Sequence, residues 1–340
     1  MKKWISMLLA VAVALALSAV ACSRPGKTDA PNSQGLAYPV TVTDHAGRQV
    51  VIEKEPQKIV SCYYITSSLL MALGLEDKMV GIEDNPEFRP IYGLSAPHLL
   101  ELPWVGTAKV LDVEGCAALE PDLVILPLRQ KESADILESL GIDVLLVNPE
   151  SQTLLTEMIQ MVASATNTQD KGDELIAFLD KQEAKLNQIL AGVAAPRVYM
   201  ASNSNMLATA GDGMYQSDMI RLAGGANVAA EIEDTYWAEI DYEQLLVWDP
   251  EYIILASSAK YTAEDVLQDP NLAGCTAVVN GNVYQIPCDA ESWDSPVPSS
   301  ILGALWLANI LHPEKLTDTD CAAIMDEYYE TFYHFTYSEK

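Results

Sequence analysis

The sequence predicts an α/β protein of two similar lobes with a helical segment between them. Three observations carry this. Short apolar strands alternate with amphipathic helices along most of the chain, the pattern of a mainly parallel sheet covered by helices. Residues 112–126, DVEGCAALEPDLVIL, recur as residues 241–255, DYEQLLVWDPEYIIL. Between the two copies, residues 151–190 carry no strand signal and repeat apolar residues at helical spacing.

The elements follow in order. VTVTD, HAGRQ and VVIE from Val40 read as a hairpin turning at Gly47. KIVSC is a short buried strand, and ITSSLLMALG is a helix that stops at Gly74. MVGI is a strand, a helix starts at Val113, and strand DLVILP, helix KESADILESLG and strand IDVLLV complete the first half. In the central stretch Leu175, Ile176, Leu179, Leu186 and Ile189 form one stripe, and Asn167 and Gly172 mark a bend. RVYMAS then restarts the alternation, followed by a helix, strand YIILAS, a helix, strand VYQIP and two closing helices.

The repeat has a physical reading that holds twice. Asp112 and Asp241 are N-cap residues of short helices. Glu114 and Glu243 lie in first turns, where the helix dipole favours negative charge. Pro121 and Pro250 end the helices, and a buried strand follows each.

The N-terminus reads as a targeting segment. Lys2 and Lys3 precede an apolar run from Met7 to Leu17, which is too short to span a bilayer, and small residues follow. Residues 1–21 are therefore expected to be a secretory signal peptide. Cys22 follows Ala19-Val20-Ala21, and the site resembles a bacterial lipobox, with Ala19 where Leu is usual. Two acyl chains on Cys22 would anchor the mature chain stably. Residues 22–37, polar with Pro and Gly, read as a flexible tether.

Composition excludes several classes. Twenty Lys and Arg stand against 48 Asp and Glu, a formal net charge of −28 over 340 residues. That is no footprint for nucleic acid, nor for an anionic lipid surface beyond the acyl anchor. The chain has no G-x-S-x-G, no Walker loop and no H-E-x-x-H, so the rival reading, an exported α/β hydrolase or sensor, has no visible nucleophile and base to support it. AGGAN follows a helix, opposite to the order a phosphate loop needs. His45, His98, His312 and His334 are scattered, so no direct metal site and no intrinsic cofactor are expected. Cys62, Cys116, Cys275, Cys288 and Cys321 read as buried small hydrophobes. The alternative is a Cys275–Cys288 bridge across TAVVNGNVYQIP, which looks like a hairpin.

VTVTDHAGRQVVIEKEPQKIVS, DVEGCAALEPDLVI and GDGMYQSDMIRLAGGANVAAE, in this order and after a lipoprotein-like start, resemble the substrate-binding proteins of bacterial ABC importers for iron chelates and vitamin B12. The resemblance runs from about Tyr38 to the end of the chain. It implies two Rossmann-like lobes, residues 38–150 and 191–340, joined by one long backbone helix within 151–190, with ligand in the cleft between them. It also implies little hinge motion. The expected protein is a monomeric, lipid-anchored receptor on the extracytoplasmic face of the cell membrane. Its partner is an ABC permease dimer with its ATPase.

The resemblance gives Glu114 and Glu243 a role, one on each lobe, docking into arginine pockets of the permease. Segments that follow strands should line the cleft. In the first lobe these are Tyr63, Tyr64, Trp104 and Arg129, and in the second Met214, Tyr215, Tyr236, Trp237 and Trp293. An aromatic wall suits a bulky ligand and the resemblance implies iron, so the first expectation is a ferric chelate, siderophore or haem, and the second is cobalamin. A molybdate-type oxyanion is the remaining alternative, and it requires Arg129, with Arg89, to point into a small cleft.

Overall fold

A computed structural model describes residues 37–233 and 237–340. The signal peptide, Cys22, all of the tether but its last residue, and Tyr236 lie outside the described residues. The first lobe opens with the expected hairpin, β1 (Val40–Thr43) paired antiparallel with β2 (Gln49–Ile52). There follow β3 (Ile59–Ser61), α1 (Tyr64–Ala72), β4 (Met79–Gly81), α2 (Pro90–Ser95), α3 (Val113–Ala118), β5 (Leu123–Pro127), α4 (Lys131–Ser139) and β6 (Asp143–Val147). The parallel sheet runs β4-β3-β5-β6. Every residue of β5 is buried, which is why LVILP is apolar throughout instead of alternating.

After α5 (Gln152–Thr166) and α6 (Gln169–Ile189), the second lobe contains β7 (Arg197–Ala201), β8 (Ala208–Thr209), α7 (Tyr215–Leu222), β9 (Ala226–Asn227) and β10 (Ala238–Glu239). It continues through α8 (Tyr242–Trp248), β11 (Tyr252–Leu255), α9 (Ala263–Leu267), α10 (Thr276–Asn280), β12 (Val283–Gln285), α11 (Ser300–Leu311) and α12 (Asp318–Tyr333). Its parallel part runs β9-β7-β11-β12, the same order as in the first lobe, and β8 and β10 extend it antiparallel.

The sequence repeat is a repeat of hydrogen bonds. Asp112 accepts from the Gly115 N–H at 2.9 Å, and Asp241 from the Gln244 N–H at 2.8 Å. Glu120 and Asp249, at equivalent places before the prolines, both have left-handed backbone, φ 50° and 41°. After each proline a carboxylate ties the central strand. Asp122 accepts from the Gln57 and Lys58 amides at 2.9 and 3.1 Å, and Glu251 accepts from the Arg197 amide at 2.9 Å. Each lobe therefore builds the same helix–proline–strand corner.

The central stretch is two helices where one was expected: α5 (Gln152–Thr166) and α6 (Gln169–Ile189). Asn167, at φ 59°, breaks the run in the left-handed conformation that asparagine tolerates. Gly172 lets the two pack closely, since a Cβ there would stand 2.7 Å from the Ala163 methyl. α5 lies against β1, and Tyr38 donates to the Ala165 carbonyl at 3.0 Å, so α5 belongs to the first lobe. The 21-residue α6 is the connecting helix and packs on α11. A second tie comes from α12, which packs on α1 of the first lobe and α11 of the second. Tyr328, Tyr329, Phe332 and Tyr333 bury its inner face.

The segment between Cys275 and Cys288 is not a hairpin. TAVVN forms α10, closed by Gly281 at φ 73°, before β12 begins. All five described cysteines are free, four of them buried and Cys288 exposed. Among the described residues no helix is long and apolar enough to cross a membrane.

Candidate ligand cleft

Parallel strands deliver their C-terminal ends to one edge of a sheet, and in a two-lobed α/β protein the two edges face each other across the crevice. The first lobe contributes the residues after β3 (Tyr63, Tyr64), β5 (Arg129) and β6 (Asn148, Glu150), with Arg89 from the stretch beyond β4. The second contributes Asp212 and Gly213 after β8, Ser257 and Ser258 after β11, and Cys288 to Asp294 after β12.

Two cavities result. One, of about 570 Å3, is lined by Tyr63, Arg129, Glu150 and Ser151 and, from the second lobe, Asp212 and Asp218. The other, of about 280 Å3, is lined by Tyr64, Ser68 and Arg89 and, from the second lobe, Ser258, Cys288 and Glu291. Tyr63 and Tyr64 stand edge to face, ring centres 5.8 Å apart, with one on each cavity. Burial pushes both hydroxyls up, that of Tyr64 to about 12, so both are neutral donors.

The arginines divide into two groups. Arg48 is spent on Asp44 and Glu138, Arg197 on Asp249 and Glu251, and Arg221 on Asp218. Arg129 makes no hydrogen bond or ion pair among the described residues, although its charge opposes the upward shift that burial gives Glu150. Arg89 lies 3.6 Å over the Tyr64 ring and 4.0 Å from Glu83. A cation unspent on carboxylates, in so acidic a chain, stands where a ligand would meet it.

Three buried carboxyls of the cleft region are muted. Glu83 accepts from the Ser67 hydroxyl at 2.6 Å and from the Tyr92 hydroxyl, and burial raises its carboxyl above the usual range. Glu291 accepts from the Ser68 and Tyr329 hydroxyls and is raised for the same reason. Asp294, also raised by burial, takes the Ser257 hydroxyl at 2.6 Å. Arginine stays charged throughout.

Several links close the lobes over the cleft. The Ile91 N–H donates to the Ala290 carbonyl at 3.0 Å, Ser68 reaches Glu291, and the Gln152 N–H donates to Asp218 at 3.0 Å.

The structure brings Tyr63, Tyr64 and Arg129 to the cleft and takes other expected residues away from it. Trp293 is 1% exposed, and its indole N–H donates to the Tyr329 hydroxyl at 2.9 Å. Tyr215 and Met214 are buried at the start of α7 in the main core. Trp237 packs partly buried against that core. Trp104 is half exposed on the segment bridged to Ile82 and belongs to neither lining. A large apolar residue after a strand gains more by joining the core than by facing a wet crevice. Sequence reasoning missed Glu83, Glu150, Glu291 and Asp294, because no local pattern separates a buried carboxyl from a surface one.

Glu114 and Glu243 are exposed in the first turns of α3 and α8 and make no hydrogen bond or ion pair among the described residues. Among the described residues no three His, Cys, Asp or Glu side chains are grouped to hold a metal ion.

Two α/β lobes of one topology, tied by a long helix and closed over an arginine-bearing crevice, have the architecture of a receptor for a small solute. Residues 59–290 match the family described as periplasmic binding protein, and the chain belongs to that family. It is the substrate-binding component of an ABC importer, a class that works outside the cytoplasm. The molybdate-binding protein MolA of Haemophilus influenzae is 25% identical over 325 residues, covering 88% of this chain and 89% of that one. The structure of MolA bound to molybdate superposes with a TM-score of 0.78 over 88% of this chain and 99% of that one. The uncharacterized ABC transporter substrate-binding lipoprotein YvrC of Bacillus subtilis is 28% identical over 93% of this chain and 98% of its own length. The vitamin B12-binding protein of Salmonella typhimurium is 27% identical over 63% of this chain and 78% of its own length.

Proposed function

We propose that this receptor captures a compact anion, with a tetrahedral oxyanion such as molybdate as the first choice, and delivers it to a permease. The observation that carries this is the placement of Arg129, which makes no ion pair among the described residues, on one cavity of the cleft, and of Arg89, whose approach to Glu83 is a long 4.0 Å, on the other. An arginine fork matches an oxyanion edge with two parallel hydrogen bonds. The neutral hydroxyls of Tyr63 and Tyr64 add donors beside them. This reverses the order reached from sequence, because the tryptophans that favoured a bulky ferric chelate lie in the core or outside the cavities. The likeness to MolA supports the same order. Ferric siderophores, haem and cobalamin remain the comparison ligands.

The test is titration calorimetry of the purified mature chain against molybdate, ferric siderophores, haem and cobalamin. Tight molybdate binding, lost in Arg129→Ala, is the expected result. Binding of a chelate with no response to molybdate overturns the reading.

In the same reading Cys22 carries the lipid anchor, and Glu114 and Glu243 dock the two lobes onto the permease dimer. The matching exposed positions of the two glutamates support the second assignment. The polar tether after Cys22 supports the first, and YvrC bears the name lipoprotein.

A further inference from the structure

The hairpin turn at residues 44–48 does more than reverse the chain. It docks on the free edge of β6, the outermost strand of the first sheet. The His45 N–H donates to the Leu146 carbonyl at 3.0 Å, and the Leu146 N–H donates to Asp44 at 3.1 Å. Asp44 is in turn locked to Arg48. The next outward amide along this edge, that of Asn148, donates to the His45 ring nitrogen Nδ1 at 2.7 Å. An imidazole thus stands where a neighbouring strand would offer a carbonyl.

Because an amide can only donate, Nδ1 must be unprotonated, and the neutral ring carries its proton on Nε2. The side chain is 8% exposed, and Nε2 has no hydrogen-bond partner among the described residues. It faces the Glu157 carboxylate of α5 at 4.0 Å, too far for a hydrogen bond. That Nε2–H also excludes a metal at this nitrogen. The charged groups facing the ring are Asp44 on the hairpin and Glu157 on α5, and burial outweighs both in holding the ring neutral.

What the ring holds leads directly into the cleft. Pro149 has no N–H, so the Asn148 amide is the last tie on this edge before Glu150 and Ser151. Ser151 caps α5, and the Gln152 amide crosses to Asp218 of the second lobe.

We propose that His45 is a positioning residue for the cleft: neutral, it clasps the Asn148 amide and fixes residues 148–152; protonated, it lets go. A second proton can only enter at Nδ1, where it confronts the Asn148 N–H. The cationic ring then has Glu157 to turn to. Acidification therefore loosens the cleft wall that carries Glu150 and the cross-lobe bond to Asp218. The consequence for ligand rests on reading this crevice as the ligand site; the clasp itself does not.

Amide hydrogen exchange on the unliganded mature chain tests it, at pH 7.5 and 5.5, corrected for intrinsic exchange. In wild type, protection across residues 148–154 should fall by about tenfold, the change one pH unit of added proton binding allows. His45→Asn, whose amide oxygen branches from Cγ as Nδ1 does and can accept the same bond without titrating, should keep its protection at both pH values. Nitrogen NMR of the wild-type ring should show the Nε2–H tautomer at pH 7.5, a readout that needs no variant. An Nδ1–H tautomer, unchanged protection in wild type, or an equal fall in His45→Asn each overturns the clasp. A chain that exchanges as stated but binds no molybdate at either pH refutes the anion reading and leaves the clasp standing.

Discussion

Arg129 and Arg89 differ in what surrounds them, and that difference predicts different losses. Arg129 is exposed and makes no ion pair among the described residues, so its removal costs the fold little and the ligand much. Arg129→Ala should leave the melting temperature within about 2 °C, as for a surface change, while weakening oxyanion binding by about 100-fold, the worth of a lost charge-assisted pair. Calorimetric binding and a thermal melt of the same sample check both. Arg89 lies over Tyr64 and near buried Glu83, so Arg89→Ala should cost stability as well as affinity. His45 carries a pH signature of its own. Burial holds it below the ordinary histidine value, so the unfolded chain binds the extra proton first. Its contribution to stability is complete above about pH 6.5 and is lost as the pH falls below that value. The urea midpoint of wild type should therefore fall relative to that of the non-titrating His45→Asn as the solution is acidified.

At the scale of elements, the repeated corner is the unit to test. Asp112 and Asp241 each satisfy one otherwise free amide at the start of a short helix, and replacement by Ala should cost about 1 kcal/mol apiece. The two sites lie in different lobes, so their effects should add in denaturant titration. Glu114 and Glu243 occupy the same first turns but make no bonds there. Glu114→Arg and Glu243→Arg should abolish uptake in cells while leaving ligand affinity and melting nearly unchanged. Normal transport by both variants would reduce these residues to helix-terminus charges. The α5–α6 crossing depends on the absence of a side chain at Gly172. Gly172→Val should cost about 1–3 kcal/mol from overpacking against Ala163, read as a lower urea midpoint.

For the whole molecule, two ties between lobes, α6 and α12, together with the Ile91–Ala290 and Ser68–Glu291 contacts, oppose wide opening. Small-angle scattering with and without ligand should show a radius of gyration unchanged to within about 1 Å, as for other preorganised binders; a larger contraction would mean a hinge. The layered α/β plan was legible in the sequence because strand and helix periodicity are local properties, and a strand buried on both faces must be apolar throughout. The pairing of Glu114 with Glu243 was legible for a similar reason: a helix cap, a proline and a strand lie within fifteen consecutive residues, and the chain contains that corner twice. Arg129 was legible by scarcity in an acidic chain. The fate of the aromatics was not, since Trp293 and Tyr63 both follow strands and both are buried in the main core, and only packing decides that Tyr63 also walls a cavity. Nor was the partnership of His45 with Asn148, residues 103 apart that meet only when the hairpin closes the edge of β6. The sequence by itself determined the elements, their repeat and the acidic balance of the chain, all of which depend on neighbours along the backbone. Tertiary structure alone decided which carboxyls are buried, which arginines stay unspent and which imidazole nitrogen carries the proton, because desolvation and hydrogen bonding depend on neighbours in space.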